Sequence, residues 1–182
     1  METTRLILRH WRDDDAEALY KYAKSKRIGP AAGWNPHKDV EESLMIIREI
    51  FSKPETYAIV LKETMEPVGC IALMPQSDSN IKFSSPYDME LGYWIGTPYW
   101  GKGLVPEAAK ALIRRGFEEL GCKNIWCGYF DGNNKSRRVQ EKLGFSHVRT
   151  EQDIFWETTC EIKTEHVNIL TRESWEERQK SL

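Results

Sequence analysis

The sequence predicts one mixed α/β (α+β) domain, and three observations lead there. Apolar, β-rich segments and amphipathic helical segments follow one another in the order β-α-α-β-β-β-α-β-α-β-β, which implies a mixed sheet with helices packed on it. At 182 residues the chain is long enough for one substantial core and short for two. No internal repeat, low-complexity tract or linker composition breaks it, so residues 1–182 are assigned to a single domain.

The elements follow in order. Arg5 to Trp11 alternates as a strand does, and Asp13, Asp14 and Asp15 supply the cap and acidic first turn of a helix through about Ala23. Gly29 to Pro36, G-P-A-A-G-W-N-P, reads as a loop. Asp39 to Phe51 reads as a second helix with Leu44, Ile47 and Phe51 on one face. Tyr57–Leu61 and Val68–Met74 are strands joined as a hairpin by K-E-T-M-E-P. Pro75 to Pro86 is a polar loop, the candidate for a mobile or partner-facing insertion, and the strand Met89–Ile95 follows it. Ala109, Leu112, Ile113, Phe117 and Leu120 form the 3.6-residue stripe of a helix that Gly121 closes. Ile125–Phe130 is a strand, Asp131–Asn134 a turn, and Ser136–Leu143 a short helix ended by Gly144. Strands at His147–Trp156 and Thr159–Leu170 make an antiparallel end, and Ser174–Lys180 forms a terminal helix anchored by Trp175.

Composition removes several function classes. A net charge of −2 offers no electrostatic footprint for nucleic acid or an anionic membrane. No apolar run reaches membrane-spanning length and no leader pattern stands at the start, so a cytoplasmic protein is expected. Cys70, Cys122, Cys127 and Cys160 lack both metal-ligand spacing and the density of a disulfide scaffold, and read as free core thiols. His10, His37, His147 and His166 have no ligand spacing either, and no metal is expected.

The chemistry-bearing stretch is Trp94 to Leu104, W-I-G-T-P-Y-W-G-K-G-L, which runs into the helical V-P-E-A-A-K-A-L-I-R-R-G-F-E-E-L. Strand, glycine turn and helix N-terminus in that order suit a phosphate. Gly101 and Gly103 let a ligand approach the main chain, Pro106 suits the first helical turn, and the turn's one formal charge is Lys102. Taken alone, G-x-G is also ordinary turn punctuation. The Walker and dinucleotide patterns both fail on spacing, with Pro106 where the latter needs its third glycine.

A second block, N-I-W-C-G-Y-F-D-G-N-N-K-S-R-R-V-Q-E-K-L-G-F from Asn124 to Phe145, changes the weight of the first. Together the two resemble the GNAT superfamily of acetyl-coenzyme A-dependent N-acyltransferases, matching its pyrophosphate loop and its N-x-x-S-x-x-V-x-E-K-L-G-F helix. The N-terminal T-R-L-I-L-R-H-W-R and the strand E-L-G-Y-W-I resemble the branch of ribosomal-protein N-terminal (serine/alanine) acetyltransferases. The resemblance implies a mixed, mainly antiparallel sheet flanked by helices, with a V-shaped split between two central strands. It implies acetyl-coenzyme A as co-substrate, bound by main-chain groups of Tyr93, Trp94 and Ile95 and by the loop Gly101, Lys102, Gly103, Leu104 and Val105. Asn133 and Ser136 are further contacts it implies, and the partner is an amine acceptor.

Acyl transfer from a thioester needs a neutral nucleophile, stabilisation of developing negative charge on oxygen, and a proton for the leaving thiolate. Glu90 is the candidate base, beside the coenzyme strand's centre; read structurally, it is an exposed strand carboxylate. Gln140 stands where many members carry a tyrosine acid, so the proton or thiol contact is assigned to Ser136, whose structural reading, with Asn133, is helix capping. Pro98 replaces a common phosphate-contacting side chain. Lys135, Arg137 and Arg138 are either 3′-phosphate contacts or a solvated basic face. Trp34, in its Pro/Gly-rich loop, is the aromatic assigned with Glu90 to the acceptor, while Tyr93, Trp94, Tyr99 and Trp100 read as core or groove wall.

The expected function is acetyl transfer to a primary amine by direct attack in a ternary complex, with a protein or peptide N-terminus as acceptor. The alternatives are a small amine (polyamine, amino acid or aminoglycoside) as acceptor, and a non-catalytic coenzyme A sensor. A monomer or homodimer fits either. Whether Asp78, Asp88 and Glu90 converge on an acidic acceptor site is left open.

Overall fold

A computed structural model describes residues 1–180. Strand β1 (Leu6–Arg9) buries Leu6 and Leu8 and leaves Ile7 and Arg9 half-buried, the alternation of a strand covered more on one side. Asp13–Asp15 form a single 3-10 turn. Asp15 accepts from the Arg12 N–H at 2.9 Å and from the Arg9 guanidinium at 2.6 and 2.7 Å, so the acidic run starts helix α1 (Ala16–Ala23), as expected. A four-residue helix, α2 (Gly29–Ala32), stands inside the expected loop, with Pro30 near its start and Gly33 ending it at φ +87°. Helix α3 (Val40–Glu49) is capped by Asp39, whose Oδ1 accepts the Glu42 N–H at 2.7 Å.

Strands β2 (Thr56–Leu61) and β3 (Pro67–Met74) form the expected hairpin, and β4 (Asp88–Ile95) runs antiparallel beside β3. The intervening polar segment is built onto the body of the protein. Gln76 bonds the Ile81 carbonyl at 3.1 Å and the Phe83 N–H at 2.6 Å, and the Ile81 side chain is buried. Helix α4 (Leu104–Glu118) turns Ala108, Ala109, Leu112, Ile113 and Phe117 inward. After it come β5 (Asn124–Phe130), α5 (Asn134–Leu143), β6 (Ser146–Trp156), β7 (Glu161–Thr171) and α6 (Arg172–Lys180). Trp175 of α6 packs on Phe117 with ring centroids 5.1 Å apart, the expected anchor.

The strands form one seven-stranded sheet in the order β1-β2-β3-β4-β5-β7-β6. Every neighbouring pair is antiparallel except β4 and β5. That parallel ladder holds only Asp88↔Asn124, Met89↔Ile125 and Glu90↔Trp126, although β4 runs on to Ile95 and β5 to Phe130. The sheet is therefore split at its centre, as the resemblance implies. Buried Asp88 holds the apex, accepting from Asn124 Nδ2 at 3.1 Å and from Trp126 Nε1 at 2.9 Å.

Side-chain alternation gives the sheet two distinct faces. Gly116 of α4 lies against Leu73 and Ile125, so α4 covers the face that bears those residues. Leu91 pairs with Leu73, which puts Leu91 and Tyr93 on the α4 face and Glu90, Gly92 and Trp94 on the opposite one. By the same period, Cys127 and Asn168 face α4 and α5, whereas Trp126, Gly128, Phe130, Glu165 and Val167 face away.

Phe117 is almost fully buried beneath α4 and carries α6 on its ring. Phe117→Ala should lower unfolding stability by about 3–5 kcal/mol, read as a reduced urea midpoint at an unchanged slope.

Candidate active site

The glycine turn has the conformation its sequence suggests. Gly101 and Gly103 sit at φ +76° and +75°, where a side chain is strained, and the space above Gly101 is open. Gly103 caps α4 with no side chain over the helix end. Among the described residues, the N–H groups of Gly103, Leu104 and Val105 have no partner, and Pro106 has no N–H to satisfy. A fifteen-residue helix thus points its free donors and positive dipole end into open space beside Lys102.

A brace holds this turn that sequence reasoning missed. Glu107 accepts from the Thr3 hydroxyl at 2.6 Å, the Arg5 N–H at 2.8 Å and Arg5 Nε at 2.7 Å, while Arg5 Nη1 donates to the Lys102 carbonyl at 2.9 Å. Burial works against the charge on Glu107, but these bonds hold its carboxyl below the usual range. Thr3 and Arg5 are 104 and 102 residues from Glu107 in sequence, so no local pattern signals them. Lys102 lies over the Tyr99 ring at 5.3 Å and Lys135 over Trp100 at 4.4 Å, whereas Arg137 pairs with Glu141 at 2.8 Å and Arg138 is exposed.

Backbone geometry sorts the expected coenzyme strand. The Gly96 N–H bonds the Val68 carbonyl at 2.8 Å, so alternation along β4 sends the main-chain groups of Gly92 and Trp94 toward β3 and those of Leu91, Tyr93 and Ile95 into the split. The Ile95 carbonyl is taken by Trp100 Nε1 at 3.0 Å. Trp94 is a correction to the expected main-chain set. Its backbone serves the β3 ladder, and its ring stands on the far face in edge contact with Trp34, centroids 5.8 Å apart.

On the α4 face, the Tyr93 hydroxyl lies 2.9 Å from the Ser136 hydroxyl, and burial raises the phenol well above its ordinary range. Gln140 Nε2 donates to Ser136 Oγ at 3.2 Å and to the Gly128 carbonyl at 3.1 Å, and its oxygen accepts from Asn168 at 2.7 Å. The glutamine in the expected tyrosine position therefore ties α5 to β5 and β7 and orients Ser136. Asn133 caps α5, accepting from the Ser136 N–H at 3.2 Å, and donates to the Ala31 carbonyl at 3.2 Å, which joins α2 to this end of the site.

Two carboxylates on the far face are shifted by burial. Half-buried Glu90 accepts the Ser79 hydroxyl at 2.6 Å, while the Ile81 N–H donates to that same hydroxyl at 3.0 Å, and burial pushes the Glu90 carboxyl up to about 7 despite the Ser79 bond. Glu165 is also pushed up to about 7, by burial and then by the charges of Glu90 and Glu151, with Arg149 opposing. Of the other acids considered from sequence, Asp88 holds the apex and Asp78 pairs with Lys53 at 3.6 Å, so Glu165 stands where they do not. Its signal was an acidic residue at an inward position of a buried strand, visible only once the β5–β7 register is known. Among the described residues, no three His, Cys, Asp or Glu are grouped to hold a metal, and no helix is long and apolar enough to cross a membrane.

A mixed sheet parted between two parallel strands, with a bare helix N-terminus at the mouth and hydroxyl and carboxylate groups on opposite faces, defines the class as acyl-coenzyme A-dependent transferase. Residues 5–146 match the acetyltransferase (GNAT) domain family, and the chain belongs to that family of N-acetyltransferases, which use acetyl-coenzyme A as co-substrate. It is similar to the uncharacterized N-acetyltransferase YoaA of Bacillus subtilis, 26% identical over 80% of this chain and 81% of the relative. Its fold is shared with a GNAT-family acetyltransferase from Bacillus anthracis, at a TM-score of 0.82, 21% identity and coverage of 95% and 98% of the two chains. A ribosomal-protein-S5-alanine acetyltransferase from Vibrio fischeri is similar at a TM-score of 0.72, 20% identity and coverage of 96% and 97%.

Glu165 also leaves a mark on stability. Folded, it keeps its proton until about 7, whereas free it releases it near 4.5, so the folded state binds more protons across that window and loses stability as pH rises through it. Glu165→Gln should therefore gain on the wild type by about 1–3 kcal/mol between roughly pH 5 and pH 8, read from urea unfolding of both proteins at each pH.

Proposed function

We propose that this chain transfers the acetyl group to the α-amine at the N-terminus of a protein or peptide, by direct attack with both substrates bound. Acetyl-coenzyme A supplies the activated acyl group, and the remaining tasks fall to residues already placed. Free N–H groups of Gly103, Leu104 and Val105, with Lys102, fit its pyrophosphate. The main-chain groups of Tyr93 and Ile95 that face the split fit its pantetheine arm, and the paired hydroxyls of Tyr93 and Ser136 fit the sulfur end. Glu90, on the opposite face, takes the proton of the incoming amine, and Trp34 and Trp94 wall its approach.

The observation that carries the acceptor reading is the similarity of this chain to the putative ribosomal N-acetyltransferase YdaF of Bacillus subtilis, 34% identical over 48% of this chain and 47% of the relative, and the raised Glu90 carboxyl agrees with it. A base held near 7 is well placed to deprotonate an α-ammonium of pKa about 7.7–8.0, and poorly matched to a lysine or polyamine ammonium near 10.4.

The test is thiol release from acetyl-coenzyme A with N-terminal peptides, lysine peptides blocked at the N-terminus, polyamines and aminoglycosides. Free N-termini should be used best, with kcat/KM rising through about pH 7 as Glu90 ionises. Glu90→Gln should lower kcat by about 10²–10⁴-fold at neutral pH. Preference for polyamines or blocked lysine peptides would replace the N-terminal reading. Tight coenzyme binding without release to any amine would favour a sensor.

A further inference from the structure

Glu165 is a charged side chain that the fold itself does not use. It is 7% exposed, and no donor among the described residues reaches its carboxylate. Its Oε1 lies 2.3 Å from where a Cβ on Gly128 would stand, so β5 carries no side chain at the point where the carboxylate crosses it. Ile81 covers the same point, its Cδ1 being 3.2 Å from that position. Glu90 is on this face as well, with Ser79 already on its Oε2. The nearby cations are engaged elsewhere. Arg149 bonds Glu151 at 2.7 Å and the Lys82 carbonyl at 3.1 Å, and Lys163 bonds Glu161 at 2.7 Å and the Pro30 carbonyl at 3.4 Å. With no protein donor, this largely buried carboxylate relies on the little solvent that still reaches its oxygens, and a cation brought by a ligand would take the place of that water.

We propose that Glu165 is the acceptor-recognition residue: it receives the incoming amine as an ammonium ion, across Gly128 from Glu90, so that the site selects primary alkylammonium groups and rejects amines that are uncharged in water. This rests on the reading of an amine acceptor on this face and extends it to the charge state in which the acceptor arrives. An alkylammonium has three N–H donors, enough to meet both carboxylates together. One proton then passes to the Glu90 carboxylate, which becomes the neutral acid, and the nitrogen keeps the electron pair of the broken N–H bond. Glu165 retains its hydrogen bond to the neutral amine throughout. An arylamine, uncharged from the start, leaves Glu165 without its cation.

The first measurement is independent of turnover. In protein labelled with carbon-13 at glutamate carboxyls, butylammonium chloride should move the resonance that Glu165→Gln deletes, and butanol should not. An unmoved resonance at saturating butylammonium would overturn the proposal. With the amine used best in the acceptor panel, Glu165→Gln should raise the amine KM by about 10–100-fold while acetyl-coenzyme A binding by calorimetry stays the same. Gly128→Ala, which forces the carboxylate off β5 with Glu165 still present, should weaken butylammonium binding in the same direction. A butylammonium response without acetyl transfer to any amine keeps the recognition site and removes the transfer reading. Transfer with an amine KM indifferent to Glu165→Gln removes the recognition site alone.

Discussion

The site depends on a ladder that stops after three residue pairs. β4 and β5 are the one parallel pair in the sheet, and a parallel pair joined in sequence needs a crossover, here α4. The crossover begins where β4 ends, so the N-terminus of α4 arrives at the open end of the split without further arrangement. Asp88 braces the closed end. Its carboxylate joins the two strands through Asn124 and Trp126, and beyond the Glu90–Trp126 pair their main-chain groups are released into the split. The position of the glycine turn, the backbone freed along β4 and the gap between the strands all follow from that short closure.

The split also divides the chemistry. Hydroxyl groups from Tyr93 and Ser136, and the amide of Gln140 that orients one of them, lie on the face covered by α4 and α5. Carboxylates and indole rings lie on the other. Carboxylates and hydroxyls therefore stand on opposite sides of one sheet, each side using the alternate residues of the same strands. Buried carboxylates with raised pKa values have a cost in fold stability, and that cost falls on the face away from α4.

Local patterns in the sequence were sufficient where the structure is itself local. The glycine turn, the α5 helix ended by Gly144 at φ +92° and the β2–β3 hairpin each require residues adjacent in the chain. The short α2 was hidden because two glycines and two prolines around it read as loop composition, and only Pro30 near its start marked a helical turn. Trp94 was misplaced because the direction of a strand's main-chain groups depends on the parity of its pairing, which the Gly96–Val68 bond sets. The Glu107 brace and Glu165 were illegible for a stronger reason. Both depend on contacts between segments far apart in sequence, and no neighbouring residue in the chain announces them. Gln140, by contrast, was conspicuous as a departure, and only its neighbours Gly128, Ser136 and Asn168 show that the departure is a structural joint.

The carboxylate lying across a glycine has a consequence for substitutions at the pair. A Cβ added at residue 128 would stand 2.3 Å from Oε1 of Glu165, so an alanine there displaces the end of a flexible side chain, whereas shortening residue 165 first removes that contact. The cost of filling position 128 is therefore set by what stands at position 165, and the two substitutions made together should depart from the sum of their separate effects.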